Sequence, residues 1–113
     1  MKRIAPIFLI LLLFWSCTSA SKSTRTKPLI VATTSILADG IKALVGDQAE
    51  VVALMPAGVD PHLYKASVRD LDLLTQADLV VYHGLYLEGK MTEIFEKLAK
   101  QQVLIDVSKG IPT

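Results

Sequence analysis

Val51-Val52-Ala53-Leu54-Met55-Pro56-Ala57-Gly58-Val59-Asp60-Pro61-His62-Leu63-Tyr64-Lys65-Ala66-Ser67-Val68-Arg69-Asp70-Leu71 holds, in order, a continuous apolar run, a long stretch rich in turn residues, and the start of a helical apolar pattern. A continuous apolar run, as opposed to an alternating one, is the habit of strands buried on both faces of a parallel sheet. Val68, Leu71 and Leu74 then line one helix face, opened by Ser67 with Asp70 three residues on, a variant of the capping box. Between strand and helix lie roughly a dozen residues, Met55 to Ala66, where α/β units usually need about 2–6; that excess marks a functional loop. The loop carries His62, one of 2 histidines in the chain. Pro56, Pro61 and Gly58 stiffen it and restrict where the imidazole points. Spacing alone leaves two readings of His62 open, a metal ligand or a loop histidine hydrogen-bonded to backbone. Asp60 is assigned to the turn that it begins with Pro61.

The same strand signature recurs at Leu29–Thr33, Leu79–Tyr82 and Val103–Val107. Helical patterns alternate with these runs. Leu37, Ile41, Leu44 and Val45 make one, with Ser35 as N-cap and Gly46 as stop. Met91, Ile94, Phe95 and Leu98 make another, with Glu93 and Lys97, and Glu96 and Lys100, paired at i, i+4 on its solvent side. The order β-α-β-α-β-α-β specifies an α/β fold, a four-stranded parallel sheet with flanking helices and right-handed crossovers. In such sheets ligands gather beyond the carboxyl ends of the strands. Thr33-Thr34-Ser35, the His62 loop and His83 to Gly89 all reach that edge, so both histidines share it. For His83 the expected role is to cap the following loop or helix, and for Glu88 to favour the positive end of the third helix.

At 113 residues the chain holds one domain at most. Residues 1–17 have the order of a secretory signal: Lys2 and Arg3, an apolar run from Ile4 to Trp15 broken by Pro6, then small and polar residues. The run is short for a membrane span, which needs about 20 apolar residues. An exported protein of the cell envelope is expected. Cys17 is the only cysteine, which excludes an intramolecular disulfide. It resembles the lipobox cysteine of bacterial lipoproteins, with Ser16 in the small place before it; the box departs from the pattern three places before the cysteine, where an aliphatic residue is usual. The alternative is a secreted protein with a leftover thiol. Residues 18–28 are polar, without apolar periodicity, and read as a flexible tether. Residues 29–113 are then the folded lobe.

Of the 12 Lys+Arg, Lys2 and Arg3 fall in the signal, while all 11 Asp+Glu lie beyond it, leaving 10 cations against 11 anions. A nearly neutral domain without a basic block has no footprint for nucleic acid. No Gly-rich dinucleotide or phosphate-binding loop and no nucleophile elbow occurs. No catalytic residue is assigned. Zinc takes four ligands and manganese more, so one imidazole is not a site by itself.

Gly58-Val59-Asp60-Pro61-His62-Leu63-Tyr64-Lys65-Ala66, followed by Ala77-Asp78-Leu79-Val80-Val81-Tyr82-His83-Gly84-Leu85-Tyr86-Leu87-Glu88, resembles the N-terminal lobe of the substrate-binding lipoproteins of zinc/manganese ABC importers, over roughly residues 28–113. The resemblance implies that His62 ligates Zn(II) or Mn(II) as transported cargo, that an importer permease is the partner, and that a monomer is held to the membrane by lipid on Cys17. It implies one lobe of a two-lobed protein with metal between the lobes, so the remaining ligands, a second histidine and acidic or histidine residues of a C-terminal lobe, would follow residue 113. The site would be incomplete in this chain, its metal binding micromolar or weaker, and an apolar face left bare where later elements dock. The place before Gly84 is commonly Asn in that family, so His83 departs from the pattern and inherits no ligand role. Two further classes stay open, a surface adhesin or interaction module and an exported α/β enzyme.

Overall fold

The computed structural model describes residues 25–112. Residues 1–17, expected to be a signal, with Cys17, and most of residues 18–28, expected to be a tether, lie outside the described residues. Four parallel strands, β1 (Leu29–Thr34), β2 (Glu50–Met55), β3 (Leu79–Tyr82) and β4 (Val103–Asp106), form one sheet in the order β2-β1-β3-β4. The helices are α1 (Ser35–Val45), α2 (Val68–Gln76) and α3 (Thr92–Leu98). Register aligns Val31 with both Val52 and Val80, and Val80 with Leu104. These side chains share one face of the pleated sheet and pack with Leu54, Leu74, Phe95 and Leu98 into the main core. The expected α/β class with flanking helices is therefore what the chain adopts.

Helix α1 lies over β1 and β2 on the other face, where Ala38 is buried against them. Among the described residues nothing equivalent covers β4 on that face. Val103 and Ile105 are 63% and 45% exposed, and Val107 just beyond is also exposed. Burial on both faces holds for β1 and fails for β4, because an edge strand receives a cover only where a helix is placed over it. Val103, Ile105 and Val107 thus form an exposed apolar strip along β4.

Local chemistry explains the element boundaries. Ser67 and Asp70 close a full capping box, so α2 begins where its sequence says. Its buried stripe is narrower than expected, because residues at i, i+3 and i+6 drift by about 60° per step around a helix. Leu74 is fully buried, while Val68 is exposed. In α1 the cap is Thr34 and not Ser35: the Thr34 hydroxyl accepts from the Leu37 N–H at 3.4 Å. Leu44 is 87% exposed, since the buried side centres on Ala38 and Val45 and Leu44 lies about 100° round from Val45. A 3-10 turn at Gly89–Met91 leads into α3, and Tyr82 stacks on Phe95 with ring centroids 4.5 Å apart. Among the described residues, neither Glu93 with Lys97 nor Glu96 with Lys100 closes to an ion pair.

Candidate metal centre

The long loop is two successive turns and an anchor. Val59 N–H donates to the Pro56 carbonyl at 3.3 Å, with Gly58 at φ +86, a value that excludes most side chains. Leu63 N–H then donates to the Asp60 carbonyl at 3.3 Å, placing Pro61 and His62 at the centre of the second turn. Asp60 Oδ1 accepts from the His62 backbone N–H at 2.9 Å and lies 3.3 Å from His62 Nδ1. The backbone role expected for Asp60 is present, and the ring contact is added to it. The His62 side chain is 64% exposed, and Nε2 makes no hydrogen bond among the described residues.

Tyr64 ties the end of the loop down. It packs against the core, and its hydroxyl donates to Asp70 Oδ2 at 2.7 Å. The same oxygen accepts from the Ser67 N–H and the Ser67 hydroxyl, each at 2.7 Å. Burial, the hydrogen bond and the charge of Asp70 push the Tyr64 phenol up to about 12. For Asp70, burial alone acts to raise the carboxyl, but the hydrogen bonds from Ser67 and Tyr64, with Arg69 nearby, outweigh it and hold the group below its ordinary value. His62 thus sits two residues from a fixed point.

Strand β1 connects to β2 on one side and has β3 on the other, so the reversal of strand order falls between β1 and β3. Thr34 from the end of β1 and His83 from the end of β3 meet across that crevice, Oγ1 to Nε2 at 2.8 Å. His83 therefore does not cap its own loop or helix; its ring is spent on the hydroxyl that caps α1. Glu88 also departs from expectation. It is 2% exposed, accepts from the Thr33 hydroxyl at 2.5 Å and from the His83 N–H at 2.9 Å, and is not free for the α3 terminus. The sequence places Thr33, Thr34 and Glu88 at this edge without pairing them, because Thr33 with Glu88 and Thr34 with His83 are 55 and 49 residues apart. The one available signal was an acidic residue set among Leu85, Leu87 and the apolar stripe of α3.

The turn after β3 is equally constrained. Gly84 (φ +82), Leu85 (φ +50) and Tyr86 (φ +60) are all left-handed, and a Cβ on Gly84 would collide with the side chains of Asp106 and Ser108. Leu85 and Tyr86 are exposed at the rim of a groove of about 460 Å³, floored by Tyr82, Phe95 and Leu104. His62 does not line that groove, whose polar rim is carboxylate, hydroxyl and Lys109. It lacks the imidazole that a zinc or manganese site of mixed ligands uses. Among the described residues no three His, Cys, Asp or Glu side chains converge on a metal position. His62 and His83 share the carboxyl edge, with no contact between them among the described residues.

A parallel sheet with a stiff histidine-bearing turn at its carboxyl edge, beside a bridged crevice at the point of strand reversal, is an α/β lobe of the kind that presents a ligand edge. Comparison with known proteins gives the lineage. The family model for the zinc-uptake complex component A, periplasmic, matches residues 30–113. The manganese-binding lipoprotein MntA of Bacillus subtilis is 45% identical over 94 residues, covering 83% of this chain and 31% of the relative. The zinc-binding protein TroA of Treponema pallidum is 44% identical over 86 residues, 76% of this chain and 28% of the relative. The solved TroA structure superposes with a TM-score of 0.75 over 77% of this chain and 31% of that one. The manganese ABC transporter substrate-binding lipoprotein PsaA of Streptococcus pneumoniae is 39% identical over 106 residues, 88% of this chain and 34% of the relative. The chain belongs to the zinc-uptake complex component A family, and it spans about a third of the length of these relatives.

Proposed function

We propose that this chain is the metal-capturing front lobe of an extracytoplasmic solute-binding protein that delivers Zn(II) or Mn(II) to an ABC importer permease. His62 is the metal ligand it contributes, and the other ligands come from outside residues 25–112. The observation that carries this reading is the isolation of His62. Its ring stands exposed on a stiff turn at the ligand edge, with Asp60 on one nitrogen and nothing described on the other. A ligand awaiting partners from another lobe has this form. The names of MntA, TroA and PsaA, which are those of metal-binding and transport proteins and not of enzymes, support the same reading.

The protein is exported, anchored by lipid on Cys17 at the membrane face, and works as a monomer beside its permease. Replacing Cys17 by Ala is expected to move the protein from the membrane fraction to the soluble one.

Titration calorimetry with Zn(II) and Mn(II) tests the metal assignment. The chain alone is expected to bind at micromolar affinity or weaker, since a site short of its ligands cannot bind tightly. His62→Ala is expected to abolish that binding. A tight stoichiometric site that survives His62→Ala would overturn the assignment.

A further inference from the structure

We infer that Asp60 is a positioning residue for His62: it fixes the ring tautomer so that metal is taken by Nε2. The inference rests on the reading of His62 as a ligand. Asp60 Oδ1 accepts from the His62 backbone N–H at 2.9 Å and faces Nδ1 at 3.3 Å. A carboxylate only accepts hydrogen bonds, so the proton of a neutral ring must sit on Nδ1 for this contact to hold. The lone pair is then on Nε2, the nitrogen with no described partner. One oxygen thereby sets both the backbone and the ring of His62, and Pro61 between them limits how either moves. Metal-binding histidines commonly donate their second nitrogen to a carboxylate or carbonyl, which orients the ring and raises its basicity as a ligand. Here that partner comes from two residues away and is in place before metal arrives.

The carboxylate does more than form a turn. An asparagine also accepts from the His62 N–H and keeps the turn, but a neutral carbonyl is a weaker acceptor for the ring. Asp60→Asn therefore separates the two roles.

Nitrogen-15 NMR of the labelled chain reads the tautomer directly. The native ring is expected to carry its proton on Nδ1, and Zn(II) titration is expected to shift Nε2. In Asp60→Asn the population is expected to move toward the Nε2–H form, with Zn(II) affinity falling about 10-fold or more. A native ring protonated on Nε2 overturns the proposal, as does a tautomer ratio or a Zn(II) affinity unmoved by Asp60→Asn. If His62→Ala leaves Zn(II) binding intact while Asp60→Asn still shifts the tautomer, the ligand reading of His62 fails and the hold of Asp60 on the ring stands.

Discussion

The Thr34 hydroxyl and His83 Nε2 lie 2.8 Å apart across the crevice where strand order reverses. Thr34 also caps α1, so this contact joins the end of β1, the start of α1 and the end of β3 in one place. His83→Ala removes a single partly buried hydrogen bond and is expected to lower stability by about 1 kcal/mol. His83→Asn, which keeps a polar group near Thr34, is expected to recover part of that loss. Urea unfolding of both variants measures the difference, and Zn(II) affinity is expected to stay unchanged in each.

Glu88 carries more of the load at the same edge. Glu88→Ala leaves the buried Thr33 hydroxyl and the His83 N–H without their acceptor, and is expected to cost about 3 kcal/mol. Glu88→Gln keeps an oxygen that can serve both donors, with an expected cost of about 1 kcal/mol. Equal losses for the two variants would mean that the hydrogen bonds are not what holds this turn.

Gly58 and Gly84 have nearly the same backbone angle, φ +86 and +82, but different surroundings. At Gly58 a Cβ meets open space, so Gly58→Ala is expected to cost only the left-handed backbone penalty, about 1–2 kcal/mol. At Gly84 the Cβ also runs into Asp106 and Ser108, and Gly84→Ala is expected to exceed Gly58→Ala by at least about 1 kcal/mol. Thermal unfolding of the pair isolates the steric part, because the backbone part cancels.

Tyr64 and Asp70 predict pH dependence at two ends of the scale. Asp70 has a lowered folded-state value, so its contribution is present above the unfolded value of about 4 and is lost as pH falls through the folded one. Tyr64 is raised to about 12, so its contribution is present below about 10 and is lost as pH rises toward 12. Tyr64→Phe is expected to remove the alkaline loss specific to this phenol. Asp70→Asn is expected to flatten part of the acid limb. Stability measured by urea from acid to alkaline pH, native against variant, checks both signs.

The sheet, its parallel direction and the placement of the His62 loop were legible because apolar runs and turn residues are local signals. The capping box of Ser67 and Asp70 was legible for the same reason. Thr34 was displaced by Ser35 in the reading because both residues can cap, and only the fold shows which hydroxyl meets Leu37. Glu88 could not be placed correctly from its neighbours, since its burial depends on Thr33 on another strand. The apolar run of β4 alone reads as a strand buried on both faces, and only the placement of the helices shows that one side of it is exposed. The contact of Asp60 with the His62 ring was within reach of sequence, but turn chemistry accounted for Asp60 before any ring geometry was known.

Strand β4 is hydrogen-bonded to β3 on one flank and covered on one face, whereas β1 is paired on both flanks and buried from Leu29 to Thr33. Amide hydrogens of β1 should therefore exchange with solvent only on global unfolding, while those of β4 exchange through local opening. Asp106 at the end of β4 and Ser108 in the turn after it brace Gly84, and Ser108 N–H reaches the His83 carbonyl at 3.0 Å. Each opening of β4 thus withdraws the brace from Gly84, Leu85 and Tyr86 and lets two left-handed side chains relax. On this geometry, the rate at which this edge rearranges should follow the fraying of β4.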